Sequence, residues 1–595
     1  MQPLPSDRWR AAFVVEGIGR HEFTVDAWID RFASWRGDLE KKHAAHQDVG
    51  VELLEGAALV RETAGSAPPE SAGWLHAQAE HLASDAPLRE RIERALAPAL
   101  AASMRAHAPR RGMATHPTPL GVDVERPRAG FGAWYEFFPR STALEAGAHG
   151  RLRDCGRMLR YVADMGFDVV YLPPVHPIGR VHRKGRNNQP TAQPGDPGSP
   201  WAIGSDQGGH TDVHPELGDL EAFEGLVADA RSLGLEVAID LAFQCAPDHP
   251  WVTKHPEWFR RRPDGSIQYA ENPPKKYQDI YPFDFECERW QELWEELLRV
   301  VLFWADRGIR IFRVDNPHTK PLPFWEWLIA RVRGLHPDAI FLAEAFTRPS
   351  VMQYLAKSGF SQSYSYFTWR NTKPELTAYF ESLYGAELRD AMRPNLFVNT
   401  PDILPEYLQT GGRAAFQARA VLAATLGASY GVYGPPFELC VAEAVAGSEE
   451  YLHSEKYEIR RWDLERPDSL RELLTRLNEI RREHPALGHD ASLRFVPVDN
   501  PAIIAYLRAS PDRADLLIVA VNLDPHHAQA GWLELPLHEL GLDPQPYQVD
   551  DLLGGARYLW HGPRNYVALD PTAAPAHVLR IRRRVRSEKD FDYYL

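Results

Sequence analysis

Positive charge, cysteine and long apolar runs are all scarce in this 595-residue chain. Its 67 Lys and Arg face 81 Asp and Glu, a formal net charge of -14. That deficit argues against a nucleic-acid or anionic-membrane surface as the main partner. The four cysteines, Cys155, Cys245, Cys287 and Cys440, show no CxxC spacing. Neither a zinc site nor a disulfide framework is therefore expected, and a reducing cytoplasm is the simplest compartment. No 18 consecutive apolar residues occur, and the opening MQPLPSDRWRAAFVVEG has no apolar stretch behind a basic start. Membrane insertion and secretion are thus not expected. What is present, 44% hydrophobic and 25% charged residues, describes a globular chain long enough for several domains.

The pattern along the chain changes twice. Residues 1–128 mix a strand-like WRAAFVVEG, a helix-like DAWIDRFASWRGDLEKK and Ala/Arg-rich helical stretches between Glu80 and Ala106. They read as an accessory domain, closed by the loop HAPRRGMATHPTPLG. In residues 129–486 eight apolar or aromatic runs follow: AWYEFF, DVVYLPPV, LEVAIDLAF, IRIFRVDN, AIFLAEA, SYSYF, NLFVNTPD and SYGVYG. Between them lie amphipathic segments such as LEAFEGLVADARSLG and RWQELWEELLRVVLFWADRG. Parallel strands need helical crossovers, so eight such alternations predict an α/β fold, a (β/α)8 TIM barrel, with inserted loops after strands 2, 3 and 8. From about residue 487 to 595, short strands without long helices, SLRFVPV, AIIAYLRA, DLLIVAVNL, YQVDDLL and HVLRIRR, predict a C-terminal β-sandwich. The final RSEKDFDYYL reads as a loose tail.

A barrel of this kind carries its active site at the C-terminal ends of its strands. Asp240, Asp315, Glu344 and Asp402 close strands 3, 4, 5 and 7. Any one of them alone is an ordinary helix cap or loop acid. Four on one face crowd like charge, which spreads pKa values and lets a neutral acid stand beside an ionised nucleophile. Two carboxyls about 5 Å apart perform retaining glycosyl transfer, one attacking the anomeric carbon and the other handling the proton. In GIRIFRVDNPHTK, Arg313 sits two residues before Asp315 and so on the same strand face, where it would hold that nucleophile ionised.

FRVD, the Glu of FLAEAF and the Asp of FVNTPD resemble the three catalytic-acid motifs of the α-amylase superfamily. More narrowly, GIRIFRVDNPHTKPLPFWEWLI, HRKGRNN, SPWAIG, AFQCAPDHPW, NPPKKYQDIYP and GVDVERPRAGFGAWYEFFPRS together resemble the α-1,4-glucan:maltose-1-phosphate maltosyltransferases. An ordinary amylase usually carries Asn-His after its strand-3 Asp and His-Asp at strand 7. Here Gln244 and Cys245 follow Asp240, and Pro401 precedes Asp402.

The resemblance implies catalysis by Asp315 as nucleophile, Glu344 as general acid/base and Asp402 as the acid gripping sugar hydroxyls in the transition state. It implies substrate binding by Asp240, by Arg313 as the nucleophile's partner, and by Lys184 and Gln244 at the donor sugars. Asn272, Lys275 and Tyr277 of NPPKKY would cradle the donor's phosphate, with Asn316 reaching the same leaving group. Spacing alone would read Lys275 and Lys276 as a solvated basic loop. The implied substrates are maltose 1-phosphate and an α-1,4-glucan acceptor, without cofactor or metal. A homodimer is implied too, built in part by an N-terminal β-sandwich with a helical insertion. Met1 falls in what resembles that sandwich's middle, so a truncated sandwich and an incomplete dimer contact are expected.

Other residues read more plainly. His318 and Lys320 would orient the loop after strand 4. His210 and His249 lack Glu or Cys partners at metal spacing, while Trp201, Tyr366 and Trp369 either stack on sugars or pack the core. The rival readings are an α-glucan hydrolase or trehalose-forming transglycosylase on the same barrel, and a non-catalytic glucan-binding protein. The NPPKKY cradle speaks against the first pair, and the intact acids against the last.

Overall fold

The computed structural model describes residues 1–145, 147–385, 388–542 and 546–582; the tail RSEKDFDYYL lies outside them. Contacts divide the chain into two compact units, Met1–Val124 and Glu125–Leu595. In the first, three short antiparallel pairs flank five helices. Gly19–Phe23 pairs with Leu120–Val124 and Asp26–Ala27 with Ala114–Thr115. The helices Arg31–Ala44, Gly50–Ser66, Pro69–Ala83, Leu88–Ala95 and Pro98–His107 are thus an insertion between paired strands. Asp30 starts the first by accepting from the Ala33 amide. Their core is apolar throughout, with Trp35, Leu39, Leu53, Val60, Leu82 and Met104 buried. Of the expected WRAAFVVEG strand only Trp9 and Arg10 pair, within the strand Arg8–Arg10.

The second unit is built around eight parallel strands: β1 (Gly132–Glu136), β2 (Val169–Leu172), β3 (Glu236–Leu241), β4 (Ile311–Val314), β5 (Ile340–Ala343), β6 (Gln362–Ser363), β7 (Asn395–Phe397) and β8 (Ser429–Tyr433). Their order is β6-β5-β4-β3-β2-β1-β8-β7, and a parallel bridge from Ser363 to Pro394 joins the two ends. Period-two alternation sorts the side chains. Trp134, Tyr171, Ala238, Ile311, Ile340 and Leu342 fill the barrel interior, whereas Val170, Ile239, Phe312, Val314 and Phe341 face the surrounding helices. At the crowded centre Phe397 stacks on Tyr364, and a Cβ on Gly431 would lie 2.4 Å from the Phe397 ring. Only glycine fits there. Strand 6 begins one residue before the expected SYSYF and is brief, because Tyr366–Trp369 turns into a 3-10 segment.

The C-terminal sheet orders its strands Arg494–Phe495, Ile503–Ala509, Leu516–Asn522, Ala576–Arg582, Tyr547–Asp551 and Arg557–Trp560. A two-stranded ribbon, Gln529–Glu534 with Arg564–Leu569, contributes Leu533, Val567 and Leu569 to the same core. The ribbon and Arg557–Trp560 escaped the sequence reading. The ribbon strands bury only alternate residues, and Arg557–Trp560 buries only its last, so none is a continuous buried run.

Two buried guanidinium groups close the end of one barrel helix, and one of them, Arg508, ties this sheet to it. Helix Gly412–Leu426 ends on carbonyls that have no partner within the helix. Arg481 donates to the carbonyls of Ala424, Gly427 and Ala428, and Arg508, from strand Ile503–Ala509, donates to those of Thr425, Leu426 and His489. Replacing Arg508 by Met would strand two or more buried carbonyls. Arg508→Met is expected to cost about 2–4 kcal/mol, read as a lower urea midpoint.

Candidate active site

The parity that fills the barrel also builds the site. Ala238 and Ile311 face inward, so Asp240, Arg313 and Asp315 do as well; Leu342 faces inward, and so does Glu344. The ladder runs one step past the strands, with the Asp315 amide donating to Leu241 O at 3.0 Å and the Glu344 amide to Val314 O at 3.0 Å. Both carboxyls are thereby fixed by backbone.

Arg313 is the centre. Its Nη1 reaches Asp240 Oδ2 at 2.9 Å and Asp315 Oδ1 at 2.8 Å, and its Nη2 lies 3.7 Å from Glu344 Oε1. The rings of Tyr171 and Tyr364 flank it at 5.8 and 5.7 Å. Asp240 lies beneath, its Oδ2 also accepting from Tyr171 Oη at 2.5 Å and Trp201 Nε1 at 3.1 Å. Asn316 turns the chain through a left-handed conformation, φ 44° and ψ 54°. That turn aims its amide at Glu344 Oε2, 3.0 Å away, and its Nδ2 at Asp315 Oδ2, 3.4 Å away. Lys320 holds the turn by donating to the carbonyls of Asp315 and Asn316 at 3.1 and 3.2 Å.

These contacts separate the two acids. Burial alone would raise the Asp315 carboxyl, yet Arg313 and Lys320 hold it below its ordinary value. Burial pushes Glu344 up to about 7, with the Asp315 charge adding to it and Arg313 opposing. Asp240 rises to about 6, again through burial. Glu136, which closes β1, has both carboxyl oxygens buried and unpartnered, and burial holds it neutral far above the usual range. An ionised acid thus stands beside one that titrates near neutrality.

A cavity of about 860 Å³ opens over this floor. Asp315, Glu344 and Asp402 line it, as do Lys184, Gln244, Asn272, Lys275, Tyr277 and Asn316. Asp240 and Arg313 do not, since both lie below the floor, 1% and 5% exposed. Asn272 and Lys275 face each other across the hairpin Ala270–Asn272 with Lys275–Tyr277. Asp402 is not bound to the floor; its Oδ1 takes Lys456 Nζ at 2.5 Å. Lys456, Tyr457, Asp279 and Glu450 also line the cavity, and sequence reading missed all four. Asp279 follows the NPPKKY motif closely enough to have been suspected. The others sit in the long loop after β8, where pattern marks a loop without marking which residue turns inward.

Trp201 lines the cavity, whereas Tyr366 and Trp369 pack on Phe346. His318 lines it too. His210 and His249 meet Cys245 in a buried cluster that spacing did not reveal. Its protons are already assigned. His210 Nε2 faces the Ala242 carbonyl, leaving its Nδ1 to accept from His249 Nε2 at 3.2 Å, while His249 Nδ1 accepts the Trp251 amide. A metal on His249 Nε2 would require a proton on Nδ1, where that amide already points.

Comparison with known proteins shows the family. A family model described as "Alpha-1,4-glucan:maltose-1-phosphate maltosyltransferase, domain N/S" matches residues 1–126, "Alpha amylase, catalytic domain" matches 136–296, and "GLGE, C-terminal" matches 495–581. The chain is 50% identical to the α-1,4-glucan:maltose-1-phosphate maltosyltransferase of Chlorobaculum tepidum, covering 98% of this chain and 88% of that one. It is 52% identical to that of Rhodospirillum rubrum, with 96% and 84% covered. Among solved structures, a maltogenic α-amylase of Thermotoga neapolitana aligns at TM-score 0.60 and 19% identity, over 77% of this chain and 99% of its own. That likeness speaks to the fold.

Removing the Arg313 guanidinium would leave Asp240, Asp315 and Glu344 facing one another without the cation they share, with Lys320 remaining nearby. Arg313→Met is expected to lose about 3–5 kcal/mol near neutral pH. In the variant, the carboxyls bind protons more tightly folded than unfolded, so stability present at acid pH is lost as pH rises through their raised pKa values. The deficit against the native protein should therefore narrow between about pH 8 and pH 5.5 in urea melts.

Proposed function

The chain belongs to the α-1,4-glucan:maltose-1-phosphate maltosyltransferases, and we propose that Asp315, Glu344 and Asp402 carry the transfer in it. The donor is α-maltose 1-phosphate and the acceptor is the non-reducing end of an α-1,4-glucan. The observation that carries the assignment is the Asp315–Glu344 pair, bridged by Arg313 and Asn316 on the floor of the cavity.

Asp315 Oδ1 is engaged by Arg313, so Oδ2 is the attacking oxygen. It bonds to the anomeric carbon as the bond to the phosphate oxygen breaks, giving a β-maltosyl ester and inorganic phosphate. Phosphate leaves without strong protonation, its oxyanion met by Asn272, Lys275, Tyr277 and Asn316. Glu344 then takes the proton of the acceptor's 4-hydroxyl, whose oxygen attacks the same carbon and frees Asp315. Two inversions return the α-linkage. Asp402, oriented by Lys456, would hold sugar hydroxyls as the ring flattens, with Lys184 and Gln244 on the donor sugars. Asp240 would act from beneath through Arg313.

The same reading puts the enzyme in the cytoplasm, in keeping with four cysteines left as thiols, and pairs it as a homodimer, which sedimentation equilibrium tests. Its domain division is a barrel over residues 129–486 between the accessory and C-terminal domains.

Purified protein given maltose 1-phosphate and maltohexaose is expected to release phosphate and build a ladder stepping by two glucose units in mass spectra. Asp315→Ala should abolish both; maltohexaose shortened without any donor would instead point to a hydrolase. Glu344 must be ionised to act as base, so acceptor-dependent turnover should rise with pH through about 7. Glu344→Gln should keep a phosphate burst while glucan extension falls by about 10²–10⁴.

A further inference from the structure

Every lysine of the cavity has an acid for company. Lys456 is bound to Asp402, burial raises the Asp279 carboxyl against the opposing charge of Lys184, and Lys275 Nζ lies 2.6 Å from Glu450 Oε1. The last pair joins the hairpin after β3 to the loop after β8. Glu450 is held firmly in that loop. Its carbonyl accepts from the Val445 amide at 2.8 Å and its own amide donates to Ser448 Oγ at 3.0 Å. Next to it, Glu449 takes Trp369 Nε1 on both oxygens, at 3.0 and 2.9 Å. The Glu450 side chain is 25% exposed against 52% for Lys275, so the acid is the fixed partner and the lysine the mobile one. A hydrogen bond to Glu450 also raises the Lys275 ammonium above its ordinary value.

We propose that Glu450 is a positioning residue that competes with the phosphate group for Lys275, keeping the phosphate site weak enough to discharge inorganic phosphate. The inference rests on the reading of Lys275 as part of the phosphate cradle. A phosphate arriving at Lys275 must displace a carboxylate already seated there, and it meets like charge while doing so. Once the donor's C–O bond has broken, phosphate is no longer tethered to a sugar held by the rest of the cavity. Glu450 then reclaims the lysine and the free anion departs. The maltosyl-enzyme is left to the acceptor instead of to the returning phosphate.

The test compares the native enzyme with Glu450→Gln and Lys275→Ala. Extension of maltohexaose is followed by chromatography, because added phosphate blinds a phosphate-release assay. Inorganic phosphate and maltose serve as inhibitors, one charged and one neutral. In Glu450→Gln, the inhibition constant for phosphate and the KM for maltose 1-phosphate are expected to fall about three- to tenfold, with inhibition by maltose unchanged. Unchanged maltose inhibition also reports a folded cavity. In Lys275→Ala both phosphate-dependent constants should rise. A Glu450→Gln enzyme whose phosphate inhibition is unchanged or weaker, beside a Lys275→Ala enzyme that has lost phosphate affinity, overturns the competition while leaving the cradle standing. If Lys275→Ala leaves both constants untouched, the cradle reading fails and takes this inference with it.

Discussion

One guanidinium, that of Arg313, is shared among Asp240, Asp315 and Glu344 in a space almost closed to water. Burying an ion costs several kcal/mol unless partners replace its hydration, and three carboxyls around one cation leave a surplus of negative charge. That surplus is not spread evenly. Asp315, with Arg313 at 2.8 Å and Lys320 beside it, keeps its charge. Glu344, buried and farther from the cation, binds a proton up to about 7. Burial, set against unequal distance from one cation, is what makes these two chemically similar side chains perform different tasks.

The remainder of the second unit serves to hold that asymmetry still. Tyr171 and Tyr364 wall in the guanidinium, Tyr364 is backed by Phe397, and Phe397 fits because residue 431 has no side chain. Lys320 and Asn316 fix the turn that aims an amide at Glu344. Farther out, Arg481 and, from the C-terminal sheet, Arg508 close the end of helix Gly412–Leu426. Such chains of packed and hydrogen-bonded groups are how a site is kept within the tolerance that chemistry needs.

Above the floor the logic changes from rigidity to exchange. The lysines of the cavity each stand near an acid, so an anionic substrate enters by trading one partner for another. A cavity carrying cations alone would bind a phosphate more tightly and release it more slowly. Balanced charge favours turnover over capture.

Much of this was legible in the order of residues. The (β/α)8 alternation followed from apolar runs separated by amphipathic helices. The shared face of Arg313 and Asp315 followed from period two, and the strand-end placement of Asp240, Glu344 and Asp402 followed from the rule that strand ends face the mouth. Those inferences use distances of a few residues along one strand, which backbone geometry fixes without help. What the chain order left open was every pairing across loops. Lys456 with Asp402, Lys275 with Glu450, and Cys245 with His210 and His249 join residues whose separation along the chain carries no geometric meaning. The short ribbon of the C-terminal sheet was equally hidden, because its strands bury only alternate residues. Local stereochemistry determined which side chains point at the site; only the folding of long loops over the barrel mouth decided which of them meet, since contact across a loop depends on packing and not on period.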